Sequence, residues 1–459
     1  MRTSHKKSQD LFFKKILKIH PGFLVVLSFA ITIIVGAFLL MLPLSTQPGH
    51  ISFIDALFTA TSATCVTGLT VVDTGSYFTA FGQTVILLLI QIGGLGVMTI
   101  SVALFHLIGK SISFRQRMVM QDIFSPTPRG DILRLIRSIM MFTLAAELTG
   151  AVFLFCCWYP QFSWHRAVYL AVFHSISAFC NAGFSLFPDS LSAWSDNGLL
   201  NLTVCLLIVT GGLGFPVLYD IASRITIGRK VRYRLSVQTK SVILTSTILI
   251  VVGAVLFAFL ERNGAMTQGS IMHRLYISVF QSITCRTAGF NTVDIGALNN
   301  ATLTLMLFLM FFGASPGSCG GGVKTTTLAV VAAFTKSRLL REKKVNLFKK
   351  TIPDETVAQS TSLILTALGI IGFCVFMLLA ANPGNGKGTF LSCLFETVSA
   401  FGTVGLSAGF TQIMDTWAKA WIILMMIIGR VGVLTFAYII VGDGAVRGVE
   451  YAKENIMIG

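Results

Sequence analysis

The stretch Ser52–Thr70, SFIDALFTATSATCVTGLT, carries the decision about the fold. It is too short and too polar to cross a bilayer, which takes about 20 apolar residues. Yet it lies between two long apolar runs, 21–42 and 84–108. Ser52 with Asp55 three positions on is a capping-box pattern, so a short helix starts there. Gly68 then falls in coil-like sequence. The stretch reads as a re-entrant hairpin, a short helix that dips into the membrane and a strand that returns.

Three further stretches have the same form: WHRAVYLAVFHSISAFCNAGFS (164–185), RLYISVFQSITCRTAGFNT (274–292) and FLSCLFETVSAFGTVGLS (390–407). Phe58, Phe173 and Phe395 precede Gly68, Gly183 and Gly405 by ten, and Phe280 precedes Gly289 by nine. Ser62, Ser177, Thr284 and Ser399 each follow their Phe by four. The next apolar segment aligns too: Gly93, Gly211, Gly313 and Gly429 follow the hairpin glycines by 25, 28, 24 and 24. Around them stand GGLGVMT, GGLGFPV, GASPGSC and GRVGVLT. Matched spacing in four copies is the mark of an internal repeat.

The other apolar runs are 138–159, 199–221, 241–260, 301–334 with an interruption, 361–381 and 417–441. The expected fold is all-α and integral to the membrane: eight transmembrane helices plus four re-entrant pore hairpins, in fourfold pseudo-symmetric helix–hairpin–helix repeats. The expected boundaries are a basic cytoplasmic N-terminus at 1–20, repeat 1 at 21–110, repeat 2 at 131–227, repeat 3 at 237–335 with a broken second helix, and repeat 4 at 355–459. The opening residues are basic and then apolar, as in a signal peptide, but the run continues to Leu42 without a small-residue cleavage site and reads as a first span.

Composition agrees. The chain of 459 residues is 54% hydrophobic and 12% charged, with mean hydropathy +0.78, which no soluble domain of this size shows. Its net charge of +16 comes mostly from the linkers between repeats: Lys110, Arg115, Arg117, Arg129, Arg134 and Arg137; Arg224 to Lys240; Lys336 to Lys350. Basic loops face the cytoplasm. The hairpins therefore enter from outside, both termini are cytoplasmic, and nucleic-acid binding is not needed to explain the charge. The nine cysteines form no CxxC pair and no zinc-spaced Cys/His cluster, and read as small apolar residues.

Non-helical backbone at membrane depth must be buried in protein or line a watery cavity. Four such stretches meeting on one axis would present a ring of carbonyl oxygens, which replaces the hydration shell of a cation. The expected K+ filter is Val66, Thr67 and Gly68; Asn181, Ala182 and Gly183; Thr287, Ala288 and Gly289; and Thr403, Val404 and Gly405. No carboxylate stands beside these glycines, which suits a monovalent ion. The bland alternative, that the glycines only permit tight helix packing, fits Gly93, Gly96, Gly211 and Gly214 as well as a functional role does.

At these residues the chain resembles the Trk/Ktr/HKT superfamily of potassium transporters. TCVTGLT, FCNAGFS, CRTAGFNT and FGTVGLS carry the likeness, with GASPGSCGGGVKTTT and GRVG, and it covers the whole chain. The first repeat starts near Pro21 without extra N-terminal helices, which resembles the Ktr-type membrane subunit. The resemblance implies a potassium-selective filter at the four glycines and a homodimer with one pore per chain in the plasma (inner) membrane. It also implies a cytosolic ring of nucleotide-binding regulatory subunits, so that nucleotide binds only the partner, and in some members a need for Na+. No covalently bound cofactor and no metal other than K+ at the filter is implied.

GASPGSCGGGVKTTT (313–327) looks like a phosphate cradle, but Val323 separates Gly322 from Lys324, so GxxxxGK[ST] fails, and membrane helix flanks it. The better reading is a helix at 301–312, an unwound segment at 313–322 and a helix again at 323–334, because Pro316 and five glycines weaken the helix. Beneath the filter it would obstruct the ion path, and the resemblance assigns it the same role, an intramembrane gate. The expected gate residues are Gly313, Ala314, Ser315, Pro316, Gly317, Ser318, Cys319, Gly320, Gly321, Gly322, Lys324 and Arg430. Arg430 replaces the second glycine of GGLG. An arginine in mid-bilayer costs roughly 2.5–3.5 kcal/mol on insertion scales and needs partners. The loop carbonyls are one choice and Glu147 is the other.

Among other polar residues, Asp55 reads as a cap, Glu396 as a hydrogen-bonding brace, Lys324 as a cap for loop carbonyls and His174 as a packing residue. Arg286 is expected to point away from the axis. Cys319 stands where the resembled family usually has threonine, which implies thiol sensitivity. Lys336 to Lys350 serve as topology determinants, lipid contacts or a docking surface, and NIMIG as a frayed end or a dimer contact. The competing function is a Na+-coupled secondary transporter of another small solute. No HExxH, GxSxG or paired acidic cluster suggests an enzyme.

Overall fold

The computed structural model describes residues 21–96, 132–227, 235–264, 270–381, 389–433 and 436. The basic N-terminus, the linker residues Lys110, Arg115, Arg117 and Arg129, the stretch 228–234 and the tail NIMIG lie outside the described residues.

Each of four units consists of a long helix, a short helix and a return helix. They are Pro21–Leu40, Phe53–Thr64 and Ala80–Leu95; Ile132–Trp158, Trp164–Phe179 and Gly198–Leu213; Val237–Leu260, Ile271–Thr284 and Asn300–Phe311; Asp354–Ala381, Phe390–Gly402 and Thr416–Val431. Local chemistry sets the starts. Ser52, Ser270 and Thr389 accept from the backbone N–H three residues on and cap their short helices. Thr79, Asn197 and Asp415 do the same for three return helices. Such caps contribute about 1 kcal/mol each.

The aligned phenylalanines Phe58, Phe173, Phe280 and Phe395 are fully buried and anchor the short helices in the core. The long helices turn apolar faces outward, with Leu144, Leu148, Val152, Val251, Val255 and Phe376 exposed. So large an apolar face suits lipid rather than water. By length and composition Ile136–Trp158, Val237–Leu260 and Asp354–Ala380 can each cross a bilayer, and Val25–Leu40 is a shorter apolar helix. The units are joined in a circle: each return helix packs on the short helix of the next unit, and that of unit 4 packs on the short helix of unit 1.

The run 199–221, read as one continuous span, is broken. Its helix ends at Leu213, and Gly214 at φ +90° turns the chain by 96° into Phe215–Ile227. The return helices of units 1 and 4 stop at the same level, before Gly96 (φ +83°) and Gly432 (φ +98°). Residues 97–108 of the first of these runs and, apart from Val433 and Phe436, the part of 417–441 beyond Gly432 fall outside the described residues. A positive φ ends a right-handed helix, and glycine takes it without a Cβ penalty. In unit 3 the helix ends at Phe311 and resumes at Thr325, two residues later than the sequence reading placed it.

Candidate functional site

The strand after each short helix is tied down by the aligned hydroxyls. Ser62 Oγ accepts from Gly68 N at 3.0 Å and Ser399 Oγ from Gly405 N at 3.1 Å. Ser177 Oγ donates to Phe184 O at 2.8 Å, and Thr284 Oγ1 to Phe290 O at 2.6 Å. The backbone repeats as well: Thr67, Ala182 and Val404 donate to Ser62, Ser177 and Ser399 carbonyls at 2.7, 2.7 and 2.8 Å, and Ala288 to Thr284 O at 2.9 Å.

In every hairpin the residue two before the glycine has positive φ: Val66 57°, Asn181 59°, Thr287 82° and Thr403 49°. The glycines follow at 93°, 68°, 79° and 94°, with one residue of ordinary φ between. For β-branched Val66, Thr287 and Thr403 this is a costly conformation, of order 1–3 kcal/mol each. Sequence reasoning missed this strain because no residue type announces it. Asn181 and Thr287 side chains pair at 3.2 Å between neighbouring hairpins.

The four strands close into a ring. A Cβ placed on Gly68 would lie 2.4 Å from Ala182 O, and one on Gly183 2.7 Å from Ala288 O. On Gly289 it would lie 2.3 Å from Val404 O, and on Gly405 2.1 Å from Thr67 O. Each unit thus leans its glycine on the next unit's carbonyl, and the fourth returns to the first. Above the ring lies a polar cavity of about 170 Å³, bordered by all four glycines with Thr70, Asp73, Asn291, Asp294 and Ser407 among its walls.

Residues 312–324 run against the other side of the ring. A Cβ on Gly320 would meet Thr287 Oγ1 at 2.3 Å, and Gly321 N donates to Thr403 Oγ1 at 2.8 Å. The loop's N–H groups fill the carbonyls that helix ends leave open: Cys319 N donates to Gly211 O and Ser315 N to Gly212 O at 3.2 Å, and Gly322 N to Gly429 O at 3.1 Å. In return Phe215 N donates to Gly317 O at 3.0 Å, and a Cβ on Gly214 would lie 2.4 Å from Pro316 O. Within the loop Thr325 N donates to Ala314 O, and Ser318 Oγ to Ser315 O.

Three cations hold its carbonyls. Lys324 Nζ donates to Gly320 O at 2.8 Å and Gly321 O at 3.3 Å. Arg430 donates through Nη1 to Cys319 O and through Nη2 to Gly93 O, so it bridges loop and return helix 1. Arg286 reaches Ser246 Oγ at 2.8 Å and Gly313 O at 3.5 Å. Glu147 instead accepts from Gln91 Nε2 at 3.3 Å.

Gly93, Gly211 and Gly429 are packing glycines. A Cβ there would lie 1.9, 1.8 and 1.9 Å from Thr64 O, Phe179 O and Phe401 O. Gly96 and Gly214 have the different task of ending helices. Asp55 N donates to the Ser52 cap, and Asp55 also pairs with Lys419 at 2.6 Å, a contact that no local pattern announces.

His174 does more than pack. It stacks on Phe187 and takes Leu186 N at 3.3 Å and Ser185 Oγ at 3.1 Å as partners. It follows its aligned Phe by one, as Glu396 and Gln281 follow theirs. Glu396 accepts from Ser407 Oγ, Ala408 N and Thr411 Oγ1, and Gln281 Nε2 donates to Thr292 Oγ1 at 3.2 Å. All three brace the segment beyond a ring glycine. The equivalence escaped the sequence because the three residue types differ.

A backbone ring closed by four helical units whose long helices turn apolar faces outward is the architecture of a helical membrane protein. The family model TrkH, described as cation transport protein, matches residues 6–441, and the chain belongs to this family. It is 41% identical to Ktr system potassium uptake protein B of Bacillus subtilis (strain 168), over 92% of this chain and 94% of that one. It is 39% identical to the protein of that name from Vibrio alginolyticus, over 95% and 94%. Identity to the potassium/sodium uptake protein NtpJ of Enterococcus hirae is 36%, over 96% and 98%. In fold it matches the crystal structure of the potassium transporter TrkH from Vibrio parahaemolyticus, with TM-score 0.72 over 93% of this chain and 85% of that one, at 21% identity.

Proposed function

We propose that this chain is the ion-translocating membrane subunit of a bacterial-type potassium uptake system. The observation that carries the reading is the closure of Gly68, Gly183, Gly289 and Gly405 onto one another's neighbouring carbonyls. Dehydrated K+ needs oxygens in place of water, and a neutral carbonyl ring supplies them. Thr67, Ala182, Ala288 and Val404 with the residues on either side of each form the filter. The names of relatives at about 40% identity support K+ as the ion, and the name NtpJ makes Na+ the control ion to measure beside it.

Loop 313–322 obstructs the path on the inner side, and Arg430 latches it through Cys319 O while its charge repels a cation at the constriction. The chain sits in the plasma membrane with both termini cytoplasmic. It works as a homodimer with one pore per chain, and a cytosolic ring of nucleotide-binding subunits releases the loop. The test is Rb+ and K+ uptake in a cell lacking its own potassium uptake, with each of the four glycines changed in turn to Ser. Loss of flux or of K+ over Na+ preference is expected. Unaltered preference in all four variants rejects the filter.

A further inference from the structure

The unwound loop runs directly into the helix Thr325–Leu339, which is followed by a basic turn and a two-stranded hairpin before the long helix of unit 4, Asp354–Ala381. In the hairpin Asn346 pairs with Thr351 and Leu347 with Lys350, so Phe348 and Lys349 alone make the turn. Both have positive φ, 50° and 63°. A two-residue turn of that form is usually filled by Asn-Gly, whereas here it holds an aromatic ring and an ammonium at the tip. The base is packed. Val345, Val330 of the preceding helix and Val357 of the following one are buried together, and Ile352 N donates to Val345 O at 2.9 Å. The hairpin is thus joined by side chains to the helix that leaves the loop.

Its surface combines two properties. From Lys336 to Lys350 there are seven Lys and Arg against a single acid, Glu342. All seven are exposed, and among the described residues none of them forms an ion pair. Large apolar side chains stand among them: Leu339 is 79% exposed, Leu340 59% and Phe348 39%. A charge run that set topology alone would need only the charges. The depth of the hairpin explains the rest. Asp354–Ala381 has 28 residues, about 42 Å at 1.5 Å per residue, against a hydrocarbon core of about 30 Å. Its polar opening, DETVAQSTS, therefore stands in the headgroup layer, and Val357 within it touches the hairpin base. Basic residues interleaved with exposed Leu and Phe at that depth match anionic headgroups lying over an acyl boundary. An acidic protein would answer the charges but not the apolar residues at the bilayer surface.

We infer that hairpin 346–351 and the adjoining end of helix 325–339 bind the anionic phospholipid surface of the bilayer and so pin the downstream end of the loop at the headgroup layer. The Lys and Arg side chains pair with lipid phosphates, while Leu339, Leu340 and Phe348 enter the acyl boundary. The lipid contact rests on the hairpin's own geometry and charge; its effect on flux rests on the loop's proposed role.

The experiment uses the full chain in liposomes of phosphatidylcholine with or without phosphatidylglycerol. Cys156, the exposed native thiol, is replaced by Ser, and Phe348→Cys carries a bimane, itself an apolar ring. Quenching by acrylamide in water is compared with quenching by a lipid nitroxide placed just below the headgroups. With phosphatidylglycerol the nitroxide is expected to quench, and acrylamide quenching to fall several-fold from its value in phosphatidylcholine. Changing Lys343, Lys344, Lys349 and Lys350 together to Gln restores the phosphatidylcholine result, and so does raised salt, which screens exposed charges. Acrylamide quenching that ignores both lipid and salt overturns the anchor, as does protection that appears only when a soluble protein partner is added. If the Gln variant fails to insert, the salt series on the unchanged lysines decides alone. Rb+ flux is read in the same liposomes: the chain with its native lysines should respond to phosphatidylglycerol and the Gln variant should not. A tip that docks while flux ignores the lipid overturns the pinning of the loop. Absence of Rb+ flux in either lipid counts against the transport reading, while the quenching still decides the anchor.

Discussion

The return helices of units 2 and 3 break at the same depth in different ways. In unit 2 a single residue, Gly214, separates two helices and the chain turns by 96°. In unit 3 residues 312–324 stay unwound. The short break leaves the carbonyls of Gly211 and Gly212 open, and the long break fills them with the N–H groups of Cys319 and Ser315. Unit 4 is served likewise, through Gly322 N on Gly429 O. The loop is thus less a defect in one helix than a shared cap for the ends of its neighbours. Each such bond contributes about 1 kcal/mol net, so displacing the loop is a matter of a few such bonds plus the Arg430 contacts.

The sharpest way to break this comparison is to add a methyl group on each side of it. Gly211→Ala or Gly429→Ala puts a Cβ within 1.9 Å of a backbone carbonyl that cannot move aside. The expected cost exceeds the usual ~1–3 kcal/mol of overpacking. Gly313→Ala meets only the Thr287 methyl group, at 2.4 Å, and a side chain can rotate. A thermal melt of the purified variants should show the first two barely folded and the third modestly weakened. Equal damage at all three would mean that unit 3 is held as rigidly as the others.

Next in size is Arg430→Ala. It strips the side-chain donors from Cys319 O and Gly93 O while leaving the loop's own N–H bonds in place. Each unmade buried bond costs about 1–3 kcal/mol, enough to shift the loop population several-fold. K+ flux without any regulatory partner should rise, with Arg430→Lys in between. Flux that stays level or falls in well-expressed protein rejects the latch.

What the sequence revealed follows from how each feature is encoded. The hairpins were legible because Gly68, Gly183, Gly289 and Gly405 recur with their Phe and hydroxyl partners, and repetition removes ambiguity that a single copy leaves. The loop was legible because Pro316 and its glycines interrupt a long apolar run. The bend at Gly214 was not, since apolar residues continue through it and hydropathy carries no direction. Its signal was the last glycine of GGLG, shared by Gly96 and Gly432 and replaced in unit 3 by Pro316. The second arm of Arg430, on Gly93 O, depends on a contact 337 positions away that no local pattern records.

A smaller effect sharpens the cavity side of the ring. Glu396 receives three donors, whereas Gln281 gives one bond at the same place in unit 3. Glu396→Gln turns an amide N–H₂ toward donors and should cost about 1–3 kcal/mol. Gln281→Leu should cost less. Melts with K+ and without it read the difference: if the brace steadies a filter, Glu396→Gln also weakens the stabilisation that K+ confers. If Gln281→Leu proves the more damaging, the braces are not equivalent across units.

The smallest effect belongs to an ion pair that joins unit 4 to unit 1. Lys419 and Asp55 meet at 2.6 Å, with side chains 15% and 22% exposed. Pairs in contact with solvent contribute about 0–1 kcal/mol and fade with salt. Asp55 also accepts from Ser52 Oγ, so Asp55→Asn would disturb the cap as well, and the cleaner variant is Lys419→Met. A double-mutant cycle on melting should return a coupling below about 1 kcal/mol that shrinks at high salt. A larger, salt-insensitive coupling would place the closure of the circle on this contact. A small one leaves it to the packing of return helix 4 on short helix 1 and to Gly405 resting on Thr67 O, where steric fit offers no charge for salt to screen.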